Sequence, residues 1–374
     1  MRVQLISHDA SRSGAPRVAA LVARCLVDQG HQVSIVSRTA GPLLKDFRQV
    51  SPCRVEPLWR VRRRLRRPTW LRPLARLADA ITALIMVAVH RPQMLYLNSC
   101  AVVDYLGPAR LLRVPVVLHV HESGPVAANF IARPRRLARW PRLTVVACSP
   151  SVRVELAQLT GIAVDDIVLL PSVPDDAAVL SRSAASGVDR MGDPAVVVGS
   201  CGSVEYRKGY DLLIAAAQLV GSRAPELDIR FVWIGDLIAS GALDGHVEFL
   251  GPRADPYPLM RGFDLLALPS RDDPFPLVVL EAMVLGKPVV AFDVGGVRDQ
   301  IAETGVLVPA EDVSAFADAV VELARDRHRR LALGDRAHER ARAHFSTAHF
   351  CELLGDIISE HEHSTSRARP RTQG

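Results

Sequence analysis

Val3-Gln4-Leu5-Ile6-Ser7, a helical stretch over about residues 15–29, and Gln32-Val33-Ser34-Ile35-Val36-Ser37 decide the fold. Two apolar runs of strand length on either side of one helix make the strand–helix–strand unit of a parallel sheet. Outward from this unit the alternation continues, with strand-like runs at 94–97, 116–120, 144–148 and 167–170. Residues 173–194, rich in Pro, Ser, Asp, Ala and Gly, read as a linker. Strands restart at 195–199 and recur at 228–234, 247–250, 265–268, 288–292 and 305–308, followed by helices over 312–344 and about 348–359. The expectation is an α/β chain of two doubly wound domains, residues 1–172 and 195–345, each offering the carboxyl edge of its sheet to ligands. Residues 346–360 are expected to form a helix packing back on the first domain, and residues 361–374 a disordered tail.

Length agrees, since 374 residues exceed one ordinary core. Hydrophobic residues make up 49% and aromatics 5%, the balance of a soluble α/β enzyme. No apolar run reaches the roughly 18 residues of a membrane span; the longest, at 80–89, reads as a buried helix. The chain opens on a strand, so no secretory leader is expected. Its six cysteines lie far apart with no Cys-x-x-Cys pair, which predicts reduced, buried thiols in a cytoplasmic protein and no metal site.

The net charge of +6 is uneven. Residues 1–190 hold 27 Lys and Arg against 13 Asp and Glu, whereas residues 191–374 hold 19 against 27. Only Lys45, Lys208 and Lys287 are lysines, so each departs from the chain's habit of using arginine. Arg60, Arg62, Arg63, Arg64, Arg66, Arg67, Arg72 and Arg76 crowd one segment, interleaved with Trp59, Leu65, Trp70 and Leu71. Two readings stand: a solvated arginine-rich face, or a surface docking peripherally on an anionic membrane. Nucleic acid is not expected, because no nucleic-acid module accompanies the charge.

Four stretches carry candidate chemistry. Asp273-Pro274-Phe275-Pro276-Leu277-Val278-Val279-Leu280-Glu281 sets two carboxylates eight positions apart across a loop entering a helix, where free backbone N–H groups suit an anion. The two acids fit either an acid/base pair or a grip on a polyhydroxylated ligand. Arg207-Lys208-Gly209 follows a strand and precedes a helix, placing a fork and a point charge where a diphosphate would lie. His8-Asp9-Ala10-Ser11-Arg12-Ser13-Gly14-Ala15-Pro16-Arg17 joins the first strand to the first helix with small residues, and lacks the Gly-x-Gly-x-x-Gly of a nicotinamide dinucleotide site. His119-Val120-His121-Glu122 closes another strand, where His121 suits the polar edge of an active site better than a metal.

In this order and spacing these elements resemble the retaining GT-B glycosyltransferases of family 4. The resemblance adds Gly30-His31-Gln32-Val33, Ala147-Cys148-Ser149, Trp233-Ile234-Gly235, Phe249-Leu250-Gly251, Pro269-Ser270, Gly286-Lys287-Pro288 and Gly295-Gly296, and so runs nearly the whole length. It implies two Rossmann-like domains facing a central cleft, an acceptor-side N-terminal domain and a C-terminal domain that binds the nucleotide sugar. It implies metal-independent, retaining hexosyl transfer with no cofactor, from a nucleoside-diphosphate sugar to a glycan or lipid-linked acceptor. Lys208 and Arg207 would hold the diphosphate, Asp273 the donor sugar and Glu281 the ribose. Phe275, Pro276, Leu277 and Val278 would turn backbone to the phosphates; His121 would stand near the reacting sugar and Gly14 beside donor or acceptor. Three departures stand out: Asp273 and Asp299 replace family glutamates, and Ser203 or Gly202 occupies the place of an arginine. They leave one rival, a non-catalytic nucleotide-sugar-binding subunit of a polysaccharide assembly system.

Overall fold

The computed structural model describes residues 1–57, 59, 71–131, 140–184, 195–236 and 245–367. They form two compact units, Met1–Ser172 with Ala348–Gly374, and Val173–Thr347.

The first unit runs β1 (Arg2–Ser7), α1 (Gly14–Asp28), β2 (Gln32–Ser37), α2 (Leu44–Val50), β3 (Cys53–Val55), α3 (Arg72–His90), β4 (Met94–Asn98), a 3-10 turn at Cys100–Tyr105, α4 (Leu106–Leu111), β5 (Val116–Val120), α5 (Gly124–Ile131), β6 (Leu143–Ala147), α6 (Pro150–Thr160) and β7 (Val168–Leu169). Its sheet is parallel, ordered β3-β2-β1-β4-β5-β6-β7. Every residue of β4 and β5 is buried, as befits central strands covered on both faces. The chain order reverses between β1 and β4, which opens a crevice at the carboxyl ends of those strands.

The second unit contains α7 (Asp176–Ala184), β8 (Val196–Cys201), α8 (Tyr210–Arg223), β9 (Ile229–Ile234), β10 (Val247–Gly251), α9 (Tyr257–Arg261), β11 (Leu265–Leu268), α10 (Leu277–Val284), β12 (Val289–Phe292), α11 (Val297–Ile301), β13 (Val306–Val308), α12 (Val313–Arg325) and α13 (Arg327–His344). Its parallel sheet is ordered β10-β9-β8-β11-β12-β13, with the corresponding reversal between β8 and β11. A core of Val198, Leu213, Trp233, Leu265, Phe292 and Phe316 fills the space between sheet and helices.

Several details differ from the sequence reading. The stretch read as a linker begins with α7, because the Asp175 carboxylate accepts the N–H of Ala178 and the helix buries Val179 against α9 and α10; residues 185–194 lie outside the described residues. The boundary inside the helical stretch at 312–344 was not placed from the sequence: the two helices divide at Asp326, whose carboxylate accepts the N–H of Arg329. The last helix, α14 (Thr347–Arg367), passes the point where disorder was expected, since neither Gly nor Pro follows Gly355 until Pro370; residues 368–374 lie outside the described residues.

Cys25 and Cys351 are joined by a disulfide, with their Cα atoms 5.3 Å apart. This corrects the expectation of reduced thiols for that pair. A separation of 326 residues gives no spacing cue, and only the docking of α14 against α1 brings the two sulfurs together. The Gln29 side chain adds a 2.6 Å bond to the Cys351 carbonyl. Cys53, Cys100, Cys148 and Cys201 take no part in this disulfide.

The stretch at 80–89 is helical but not wholly buried. α3 packs Ala75, Asp79, Ala83, Met86 and Val87 inward and leaves Ile81, Ile85 and Val89 exposed. In the basic segment Arg60 to Arg67 lie outside the described residues, while Arg72 and Arg76 belong to α3.

Candidate active site

Lys208 and Asp273 follow β8 and β11, the two strands that flank the reversal in the second sheet. Lys208 ends a 3-10 turn, and Gly209 then takes φ 71° to start α8. That glycine is obligatory on two counts: its φ is left-handed, and a Cβ would lie 1.9 Å from the Pro269 carbonyl oxygen. The close approach puts the Lys208 ammonium 2.5 Å from Asp273 Oδ2, an oxygen the Ser270 hydroxyl also approaches at 3.4 Å.

Arg271 fastens these two loops together, a role the sequence reading missed. Its guanidinium donates to both oxygens of Asp211 at 2.8 and 2.7 Å, to the Tyr206 carbonyl at 2.7 Å and to Glu311 at 2.9 Å. It also stacks 3.7 Å over the Tyr206 ring. These hydrogen bonds hold the Asp211 carboxyl below its ordinary range. In an arginine-rich chain nothing in the sequence distinguishes Arg271 from its neighbours. Arg207 is more exposed, bonding the Asp272 carbonyl at 2.9 Å and Glu205 at 3.1 Å.

α10 starts at Leu277 behind Pro276, which offers no side-chain cap. The first N–H groups of a helix have no intrahelical acceptor, so this end suits an anion. Phe275 and Leu277 bury their side chains, Phe275 against Phe345 at 5.9 Å between ring centroids, so this loop has backbone rather than side chains to offer a ligand. Gln300, wholly buried, donates to the Pro276 carbonyl at 3.0 Å and steadies the entry to the helix. Gly295 takes φ 52°, and a Cβ there would lie 1.8 Å from the Asp273 carbonyl oxygen. Glu281 lies one turn into α10, buried, accepting the Tyr257 hydroxyl at 3.2 Å. Asp299 is exposed on α11.

The other two candidates lie at the reversal of the first sheet. Gly14 opens α1 after β1, and His121 follows β5. Asn98, at the end of β4, joins them: its amide donates to the Ala15 carbonyl at 2.7 Å and its Oδ1 lies 3.2 Å from His121 Nε2. His121 Nδ1 lies 3.0 Å from the Ser172 hydroxyl. The network is satisfied by a neutral ring that donates from Nε2 and accepts at Nδ1. Burial first, then the neighbouring His119 and His8, holds the His121 pKa well below its ordinary value. His119 is fully buried between the Tyr96 hydroxyl (2.9 Å) and the Leu170 carbonyl (3.1 Å), and burial pushes its pKa down to about 3.

Glu122 ties down the backbone beside this cluster by accepting the Ser99 hydroxyl and the N–H groups of Cys100 and His121. Ser99 itself takes φ 149°, a conformation that side chains other than glycine rarely adopt. In the loop between β1 and α1, His8 Nδ1 is buried with no hydrogen-bond partner among the described residues. Sequence reasoning quoted His8 without a role, and weighed Glu122 only beside His121 as a pair that could position a hydroxyl, share a proton or bind a metal. Among the described residues no group of three or more His, Cys, Asp or Glu is placed to hold a metal.

The family model described as "Glycosyltransferase Family 4" matches residues 12–176, and that described as "Glycosyl transferases group 1" matches residues 195–326. The chain belongs to the family 4 glycosyltransferases. Curated relatives include D-inositol 3-phosphate glycosyltransferases of Corynebacterium urealyticum, 33% identical over 39% of this chain and 39% of that protein, and of Stackebrandtia nassauensis, 30% identical over 54% and 52%. The chain thus spans about half or less of the length of these relatives. Among solved structures, Anabaena Alr3699/HepE in complex with UDP and glucose superposes with a TM-score of 0.75 at 20% identity, over 96% of this chain and 99% of that one. WaaG, a glycosyltransferase involved in lipopolysaccharide biosynthesis, gives 0.70 at 14% identity over 96% and 99%. These likenesses establish a GT-B fold.

Proposed function

We propose that the protein transfers a hexose-type sugar from a nucleoside-diphosphate sugar to an acceptor hydroxyl, with retention of configuration and without a metal. The observation that carries this reading is Lys208 held against Asp273 at the carboxyl edge of the second sheet, between the loops after β8 and β11. An ammonium with three donors serves the carboxylate and a phosphate together. Lys208, Arg207 and the first amides of α10 form an anion site aimed at the diphosphate, Asp273 takes sugar hydroxyls and Glu281 the ribose. The acceptor oxygen bonds to the anomeric carbon on the face the diphosphate leaves. The bond between that carbon and the phosphate oxygen breaks, and the departing oxygen takes the acceptor's proton. Negative charge grows on the diphosphate during this step, so preorganised cations and amides there lower the barrier. His121 and Asn98 give the first unit a neutral, hydrogen-bonding wall suited to hydroxyl groups.

The names of the relatives guide the choice of substrates: UDP-glucose first as donor, and an inositol phosphate beside glycan and lipid-linked acceptors. The test is incubation of the purified protein with UDP-, GDP- and ADP-sugars and each acceptor. Free nucleoside diphosphate is followed, and the anomeric configuration of the product is read by NMR. Acceptor-dependent release with retained configuration supports the reading. Tight donor binding with neither transfer nor hydrolysis favours the non-catalytic binding subunit.

A further inference from the structure

The ladder between β4 and β5 ends at the pair Asn98–His119. Beyond it Cys100 and His121 share one acceptor: their N–H groups donate to Glu122 Oε2 at 3.1 and 3.2 Å. The other carboxylate oxygen takes the Ser99 hydroxyl. One side chain thus fastens the end of β4 to the end of β5 through three bonds to a carboxylate, the strong class of hydrogen bond.

The residue it fastens is out of its ordinary conformation. Ser99 combines φ 149° with ψ 149°, a region that belongs essentially to glycine. Both sides of Ser99 are fixed. Asn98 before it closes β4 and is wholly buried. After it the 3-10 turn is held by Arg38, which donates to the Ala101 carbonyl at 2.8 Å and to Asp104 at 2.6 Å. The mismatch between strand and turn therefore falls on Ser99, and such strain persists only where the surroundings over-determine it. Without Glu122 the backbone at 98–99 is free to relax and to carry Asn98 with it.

Asn98 in turn decides the state of His121. Its amide nitrogen faces the Ala15 carbonyl, which can only accept, so Oδ1 faces His121 Nε2. Nε2 is then the protonated nitrogen, and the Nδ1 lone pair goes to the Ser172 hydroxyl. A displaced Asn98 offers no acceptor at Nε2, and the two tautomers of the ring become alternatives.

We infer that Glu122 is a positioning residue: by holding Ser99 in its strained conformation it orients Asn98, and through Asn98 it keeps His121 as a donor from Nε2. The consequence for turnover rests on the reading of His121 and Asn98 as a wall for hydroxyl groups; the tautomer does not.

The test is NMR of the full chain carrying 15N-labelled histidine, at about pH 8, where a neutral ring shows which nitrogen bears the proton. The His121 signals are those missing from His121→Gln. The wild type is expected to show one tautomer, protonated at Nε2. Glu122→Gln keeps the size of the side chain, but its one acceptor oxygen cannot serve all three donors. It is expected to show both tautomers and to lose at least about tenfold in kcat/KM for the acceptor, while Kd for UDP, GDP and ADP stays within about twofold. Two double variants separate strain from hydrogen bonding. Glu122→Gln/Ser99→Gly and Glu122→Gln/Ser99→Ala both lack the serine hydroxyl, but only glycine adopts φ 149° without strain. The glycine variant is expected to recover the single tautomer and most of the lost kcat/KM, and the alanine variant neither. If Glu122→Gln fails to fold, Ser99→Ala, which keeps the strain and removes one bond to Glu122, is expected to show both tautomers and about a threefold loss in kcat/KM. Any of four results would overturn the inference: a wild-type ring protonated at Nδ1, a Glu122→Gln or Ser99→Ala ring with the wild-type signature, double variants that behave alike, or diphosphate binding that falls in step with kcat/KM. A wild type that transfers no sugar defeats the proposed function instead, and the imidazole signature still decides this inference.

Discussion

Lys208 Nζ lies 2.5 Å from Asp273 Oδ2, although 65 residues separate the two in sequence. The contact couples two roles usually considered apart, since the group that would grip the diphosphate is aimed by the group that would grip the sugar. Asp273 therefore helps orient Lys208 and at the same time repels an incoming phosphate. Asp273→Asn is predicted to bind free nucleoside diphosphate about fivefold more tightly, because one like charge is gone. The same variant should lose at least about a hundredfold in transfer. Calorimetry with the diphosphate and turnover on the same preparation check the two halves; weaker diphosphate binding would show that orientation outweighs repulsion.

Tyr257 and Glu281 give a second test. Tyr257→Phe removes a hydrogen bond from a buried carboxylate and should cost about 1–2 kcal/mol in urea unfolding. Glu281→Ala should weaken binding of the nucleotide sugar. Unchanged affinity for every nucleoside diphosphate would remove the ribose role from Glu281.

Gly295 is placed to transmit a distant change to the site. Its left-handed φ and the 1.8 Å gap from a would-be Cβ to the Asp273 carbonyl leave no room for a methyl group. Gly295→Ala should lower stability by about 1–3 kcal/mol and displace the 273 loop. Donor affinity should then fall although residue 295 contributes no side chain. Stability measured by urea unfolding and donor binding by calorimetry would check both effects.

Acid stability carries the signature of His119. The unfolded chain protonates this ring near pH 6.5, whereas the folded chain holds it neutral until about pH 3. Below pH 6.5 the unfolded state thus binds the extra proton, and folding stability falls as pH drops through that window, by up to about 1.4 kcal/mol per unit. His119→Gln should make the dependence between pH 6 and pH 4 shallower, leaving the part that the buried His121 contributes. A variant whose unfolding free energy keeps the wild-type slope would contradict the buried-neutral assignment.

The sequence made the two-sheet architecture legible because apolar runs of strand length survive in nearly every buried strand, from Val3 to Val308. It also brought out Lys208, Asp273 and Glu281, whose residue types are unusual where they stand. What it left hidden depends on distance. Arg271 is one arginine among many until its guanidinium is seen bridging Asp211, Glu311 and Tyr206. The Cys25–Cys351 pair needed the docking of α14, and the helix at 176–184 needed the neighbours that bury its apolar side. The exposed stripe of α3 was read as core because hydropathy reports that a face is apolar, not what covers it.

The most direct measurement is isothermal titration of UDP-, GDP- and ADP-glucose into the wild type and Lys208→Ala. The predicted result is binding of at least one donor to the wild type, and a loss of at least about tenfold in the variant, which still folds. Equal donor affinity in the two proteins, or no binding of any donor to the wild type, would contradict the assignment of Lys208 and its loop to the nucleotide sugar.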